Sequence, residues 1–137
     1  MNDIEKKTPS GTGRGAVPDA PPIDLDEAIE RTMGDIEFLE ELLHDFLNQL
    51  SQQIKTLEST LERGDAEGFM HEAHAIKGAA ANLSAERIAA IARGLEEIGK
   101  EGDLTKGKDL LADLIDEAGR FESFVKESRW KESVSGD

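Results

Sequence analysis

Apolar positions along most of this chain recur at spacings of three and four, and no run alternates as a strand would. Asp24 is placed to cap a short helix through Met33, with Leu25, Ala28 and Ile29 on one side and Gly34 as its stop. Asp35 then caps a long helix to about Glu62. Its stripe is Ile36, Leu39, Leu43, Phe46, Leu50, Ile54, Leu57 and Leu61. Gly64 and Asp65 supply the next stop and start, and a third helix runs from Ala66 to about Leu83. Ser84 is expected to cap a fourth, which carries Ile88, Ile91, Leu95 and Ile98. After the break at Gly102-Asp103, a last helix carries Leu110, Leu111, Leu114, Ala118, Phe121 and Val125 and ends near Trp130. Connections of a few residues make sequential helices antiparallel neighbours. The pattern predicts an all-α fold, an antiparallel up-down four-helix bundle with a short additional N-terminal helix over one end. Phe38 and Leu42 fall outside the main stripe and are expected to pack under that short helix.

Composition refines this picture at the ends. All four prolines (Pro9, Pro18, Pro21 and Pro22) lie in the first 22 residues of 137, beside Gly11, Gly13 and Gly15. Residues 1–22 have too few large apolar groups to offset the entropy of ordering them, and are expected to form a disordered tail. The bundle is assigned to 23–130 and a flexible C-terminus to 131–137. Lys plus Arg number 16 against 30 Asp plus Glu, a net charge of −14, which opposes binding to nucleic acid or an anionic membrane surface. The absence of cysteine removes disulfides, thiol catalysis and thiolate metal sites. No apolar run approaches the ~20 residues of a membrane span, and no signal-peptide core is present, so a cytoplasmic location is expected.

The third helix carries the candidate chemistry. At roughly 100° per residue, Phe69, Ala73, Ile76, Ala80 and Leu83 fall within about 40° of one direction and form its core stripe. His74, Lys77, Gly78 and Ala81 lie about 80–180° away, on one contiguous solvent-facing side. Gly78 costs about 1 kcal/mol relative to alanine inside a helix. Because it points away from the core, clearance for a large group approaching the His74 ring explains it better than close helix packing. A neutral imidazole, with a reference pKa of ~6.5, is nucleophilic near physiological pH. Phosphorylated at one ring nitrogen it would carry two negative charges, which Lys77 on the same side could offset. A metal site using His71 and His74 is a weaker alternative, since no third ligand is placed to join them. The chain has no Gly-rich nucleotide loop and no strand-borne carboxylate cluster, so ATP binding and self-phosphorylation are not expected.

The segment from Ala73 to Ala85, AHAIKGAAANLSA, resembles the signature of histidine-containing phosphotransfer (Hpt) domains. The core of that signature, H-x-x-K-G, is His74-Ala75-Ile76-Lys77-Gly78 here, and Ala80, Ala81, Asn82 and Leu83 match its continuation. The run from Gly34 to Leu43 is similar to the first long helix of bacterial members, and Leu95-Glu96 with Gly102-Asp103-Leu104 fits the later part. Two positions depart from the pattern: Ala79 stands where many relatives have Ser or Thr, and Ser84 replaces a frequent Gly. The resemblance, from about Ile23 to Val125, implies a phosphorelay intermediate. In that scheme His74 accepts a phosphoryl group and exchanges it with the aspartate of response-regulator receiver domains, with Lys77 as charge partner and Gly78 as clearance. It also implies a sensor (hybrid) histidine kinase as a partner, Mg²⁺ in the partner receiver domain and no cofactor in this chain. Met70, His71 and Ala81 flank the site as docking candidates, and Phe38 and Leu42 offer a second apolar contact if exposed. The chain is expected to be a monomeric carrier and not a conventional enzyme. A binding-only adaptor that docks a kinase or regulator without being phosphorylated is the alternative.

Overall fold

The computed structural model describes residues 22–127 together with 130 and 131. Nearly all of the expected N-terminal tail and of the 131–137 stretch lies outside those residues. Helices α1 (Leu25–Arg31), α2 (Ile36–Arg63), α3 (Ala66–Asn82), α4 (Glu86–Glu101) and α5 (Gly107–Glu127) follow in order, with a 3₁₀ turn at Leu104–Lys106 before α5. Asp24, Asp35 and Asp65 each accept a hydrogen bond from the backbone N–H three residues on, which satisfies an otherwise orphaned donor. Gly64 and Gly102 end α2 and α4 at φ of 70° and 84°, a left-handed conformation that glycine adopts without a Cβ penalty.

Ser84 does not cap α4. Its own backbone is left-handed, at φ 60°, because it sits in the turn that closes α3, where the Ala85 N–H donates to the Ala80 carbonyl at 2.9 Å. That conformation delivers its buried hydroxyl to α1, where it donates to Glu27 Oε1 at 2.6 Å. Ala85 occupies the cap position instead, with no side-chain bond.

The four long helices form an antiparallel ring: α2 packs on α3, α3 on α4, α4 on α5, and α5 closes on α2. Leu39, Leu43, Leu50 and Leu57 of α2 meet Phe69 and Ile76 of α3, Ile88 and Leu95 of α4, and Leu114 and Phe121 of α5 in one buried core. Phe46 and Phe121 touch edge to face, with ring centroids 5.3 Å apart. Each large side chain removed from water in this way contributes about 1.5–3 kcal/mol.

Helix α1 leans on the corner between α3 and α4: Asp24 N–H donates to the Ser84 carbonyl at 2.8 Å and Arg31 to the Asn82 carbonyl at 3.3 Å. For that reason Phe38 does not pack beneath it as expected, and is 47% exposed, while Leu42 is half-buried. Residues just outside the expected 23–130 bundle are among those described. Pro22 is already buried, and at the other end Lys131 donates to Glu40 Oε2 at 2.9 Å. The adjacent Trp130, buried and stacked on Phe124, holds that end of the chain against the bundle.

One contact sets the spacing of α3 and α4. A Cβ at Gly99 would lie 2.7–2.8 Å from the backbone and Cβ of Met70, so the two helices approach closely only because position 99 has no side chain.

Candidate functional site

From the Met70–Gly99 contact, one turn along α3 reaches His74, and about one turn back along antiparallel α4 reaches Glu96. The two side chains meet. His74 Nδ1 lies 2.7 Å from Glu96 Oε2, and Lys77 Nζ donates to Glu96 Oε1 at 2.6 Å. A second lysine, Lys100, stands one turn further along α4 with Nζ 3.9 Å from Oε2. The Glu96 side chain is only 6% exposed, so its charge depends on these partners. The Lys77 hydrogen bond above all, then the His74 hydrogen bond and the charges of both groups, outweigh burial and hold its pKa down from 4.5 to about 2.

That ionisation decides which ring nitrogen faces Glu96 as a donor. A carboxylate only accepts hydrogen bonds, so the proton between Glu96 and His74 belongs to Nδ1. In the neutral ring the other nitrogen, Nε2, then carries the lone pair. It has no hydrogen-bond partner among the described residues, and the His74 side chain is 65% exposed. The arrangement orients a nucleophilic nitrogen toward solvent while a buried carboxylate backs the ring.

Gly78 lies one turn beyond His74, and a Cβ there would meet nothing within 4 Å. Packing therefore gives no reason for glycine at this position, in contrast to Gly99. Ala81 is exposed a turn further on, on the side predicted from the helical angles. Met70 is half-buried at the other end of the site, its backbone against position 99. His71 does not join the cluster: its Nε2 faces Glu67 at 3.7 Å, and its side chain is 67% exposed. The two imidazoles thus attend different carboxylates, and among the described residues no group of three or more His, Cys, Asp or Glu side chains is placed to hold a metal.

Glu96, quoted above only within the family resemblance, is the member of this candidate site to which sequence reasoning gave no role. Its signal was faint but present: on α4 it shares a face with Ala89, Ala92 and Gly99, a carboxylate set among small buried residues. A glutamate on such a face needs a buried cationic or protic partner.

Comparison with known proteins identifies the family and the fold. Residues 41–125 match the Hpt domain, and the chain belongs to that family. Its structure is similar to that of histidine-containing phosphotransfer protein B from Pseudomonas aeruginosa PAO1, with a TM-score of 0.75 and 25% sequence identity over 82% of this chain and 97% of that one. No curated protein matches. The chain is a histidine phosphotransfer protein of the phosphorelay type, built as a helical bundle. Hpt domains are phosphoryl carriers that interact with kinases and response regulators. Among the described residues, no helix is long and apolar enough to cross a membrane.

Proposed function

We propose that His74 is the phosphoryl acceptor of this carrier and that the group reaches it from, and leaves it for, an aspartate of a receiver domain. The observation that carries this reading is the anchoring of Nδ1 on buried Glu96, which leaves Nε2 exposed with its lone pair. In the forward step Nε2 attacks the phosphorus of the partner's acyl phosphate. The N–P bond forms as the P–O bond breaks, and the aspartate leaves as a carboxylate. The proton stays on Nδ1, so the ring becomes positively charged beside the Glu96 carboxylate, which stabilises that charge. Return of the group to another receiver is the same step reversed.

Phosphoryl transfer passes through a loose transition state whose demands are mainly positioning and charge neutralisation. On this reading Lys77 offsets phosphoryl charge, and Gly78 leaves room for the partner. Met70, His71 and Ala81 form the rim on which the receiver rests. The acidic residues and Mg²⁺ of the reaction belong to the receiver, and this chain contributes no cofactor, binds no ATP and is not a conventional enzyme. It acts as a cytoplasmic monomer, its single reactive face serving a hybrid kinase and its regulators in turn. The bundle assigned to 23–130 is the working unit. A binding-only adaptor is not favoured, because a purely adhesive surface has no use for a carboxylate buried behind an imidazole.

The test is incubation with phosphoramidate followed by intact-mass measurement, native protein beside His74→Gln. Gain of one acid-labile phosphoryl group by the native chain alone is expected. Equal uptake by the folded variant would remove His74 from the role, and no uptake by either would return the adaptor to first place.

A further inference from the structure

Glu96 accepts from an imidazole N–H and a lysine at once, and the site's chemistry asks the lysine to leave. Lys77 is held in a short charge-assisted bond to Oε1 and its side chain is only 30% exposed. A phosphoryl group arriving on Nε2 brings two negative charges, which on the reading above Lys77, one turn along α3 from His74, offsets. If Lys77 turns to it, however, the carboxylate behind the ring loses the partner that contributes most to keeping it ionised. A buried carboxylate without a cation is strongly disfavoured and would tend to take up a proton, releasing its hold on the Nδ1 proton.

Lys100 is positioned to prevent this. It lies four residues after Glu96 on the same helix, with Nζ 3.9 Å from the Oε2 atom that also receives His74. It is loosely held: its other carboxylate, Glu97, is also 3.9 Å away and 60% exposed, and Lys100 itself is 53% exposed. A small side-chain movement of about 1 Å would bring Nζ to charge-assisted hydrogen-bond distance from Glu96. Among the described residues, the titratable groups that meet Glu96 are His74 and Lys77 from α3 and Lys100 from its own helix.

We propose that Lys100 is a positioning residue that closes on Glu96 when Lys77 turns to the phosphoryl group, keeping the carboxylate ionised and the Nδ1 proton in place while His74 is charged. The inference rests on His74 as acceptor. No covalent bond changes at Lys100, and the phosphoryl step is balanced as written above. Lys100 thereby lets a single buried carboxylate back the ring in both the free and the phosphorylated states.

The experiment compares native protein, Lys100→Met, Lys100→Arg and Lys77→Met, using phosphoramidate as donor and intact mass for the rate of uptake. Proton NMR of the Nδ1–H resonance before and after phosphorylation supplies a readout that a merely structural role would not move. For Lys100→Met, uptake roughly 3- to 10-fold slower is expected. Its Nδ1–H signal should be retained in the free protein but lost to exchange in the phosphorylated one, with an unchanged melting temperature. Lys100→Arg should restore both rate and signal. Uptake within twofold of native by Lys100→Met, with the signal kept after phosphorylation, overturns the proposal while leaving the acceptor assignment standing. A slowed Lys100→Met that arginine fails to rescue overturns it too. Failure of the native protein to be phosphorylated on His74 is a different result, and removes the acceptor reading on which the proposal rests.

Discussion

Replacing Glu96 by glutamine tests the central physical claim, that a buried charge and not merely a hydrogen-bond acceptor stands behind His74. The amide is nearly isosteric and can still accept from one donor, so the α3–α4 packing should survive. What it loses is the attraction between the carboxylate and the positive ring that forms during transfer. Unit charges ~4 Å apart at an effective dielectric constant of ~20 attract by about 4 kcal/mol. The ring is 65% exposed, and water competes for it, so roughly a third to two-thirds of that should be realised. About 1.4–2.7 kcal/mol corresponds to uptake from phosphoramidate about 10- to 100-fold slower. Stability supplies a second readout. Glu96 titrates near 2 in the folded state and at its ordinary 4.5 when unfolded, so its contribution is complete above pH 4.5 and lost as pH falls toward 2. The native protein should therefore exceed Glu96→Gln at neutral pH by on the order of 3 kcal/mol at most, and the gap should close between pH 4.5 and 2. Chemical denaturation at a series of pH values measures the gap. Uptake within twofold of native, or a stability gap independent of pH across that window, would refute the reasoning.

The two glycines of the site should respond in opposite ways. Gly78→Ala fills open space in a helix and should stabilise the protein by about 0.5–1 kcal/mol in denaturant titration, whereas Gly78→Leu should still accept phosphate from phosphoramidate while losing transfer from a phosphorylated receiver. Gly99→Val must displace the Met70 backbone, so a loss of about 1–3 kcal/mol is expected together with disappearance of the Nδ1–H resonance; a native-like spectrum would show that the close approach of α3 and α4 does not position the site.

The sequence carried the bundle because each long helix repeats its apolar residues on one narrow stripe, and Asp24, Asp35 and Asp65 mark starts by chemistry that is local. His74, Lys77 and Gly78 were legible for a related reason: they are polar or minimal residues on a helix side that the core stripe leaves free. Glu96 was hidden because its meaning depends on how near two helices come, a distance set by Gly99 and not by the apolar period of α4. Ser84 misled for a similar reason. A serine just ahead of a helix reads as a cap, but the turn closing α3 had already fixed its backbone, and its hydroxyl found Glu27, 57 positions earlier in the chain. Phe38 was misplaced because the lean of α1 follows from contacts at Asn82 and Ser84, which no periodicity encodes. Local signals survive in one dimension, and interhelical distances do not.

His74, Lys77, Glu96 and Lys100 all belong to one helical hairpin, α3 and α4 with the short turn between them. Bringing such neighbours together requires closing only a short loop, so the entropy lost is small and the contacts are among the quickest available to a folding chain. The four side chains of the candidate site therefore depend on one local helix pair, around which α2 and α5 complete the core. Substitutions on those outer helices that preserve the core should alter lifetime against unfolding far more than they alter the orientation of the imidazole.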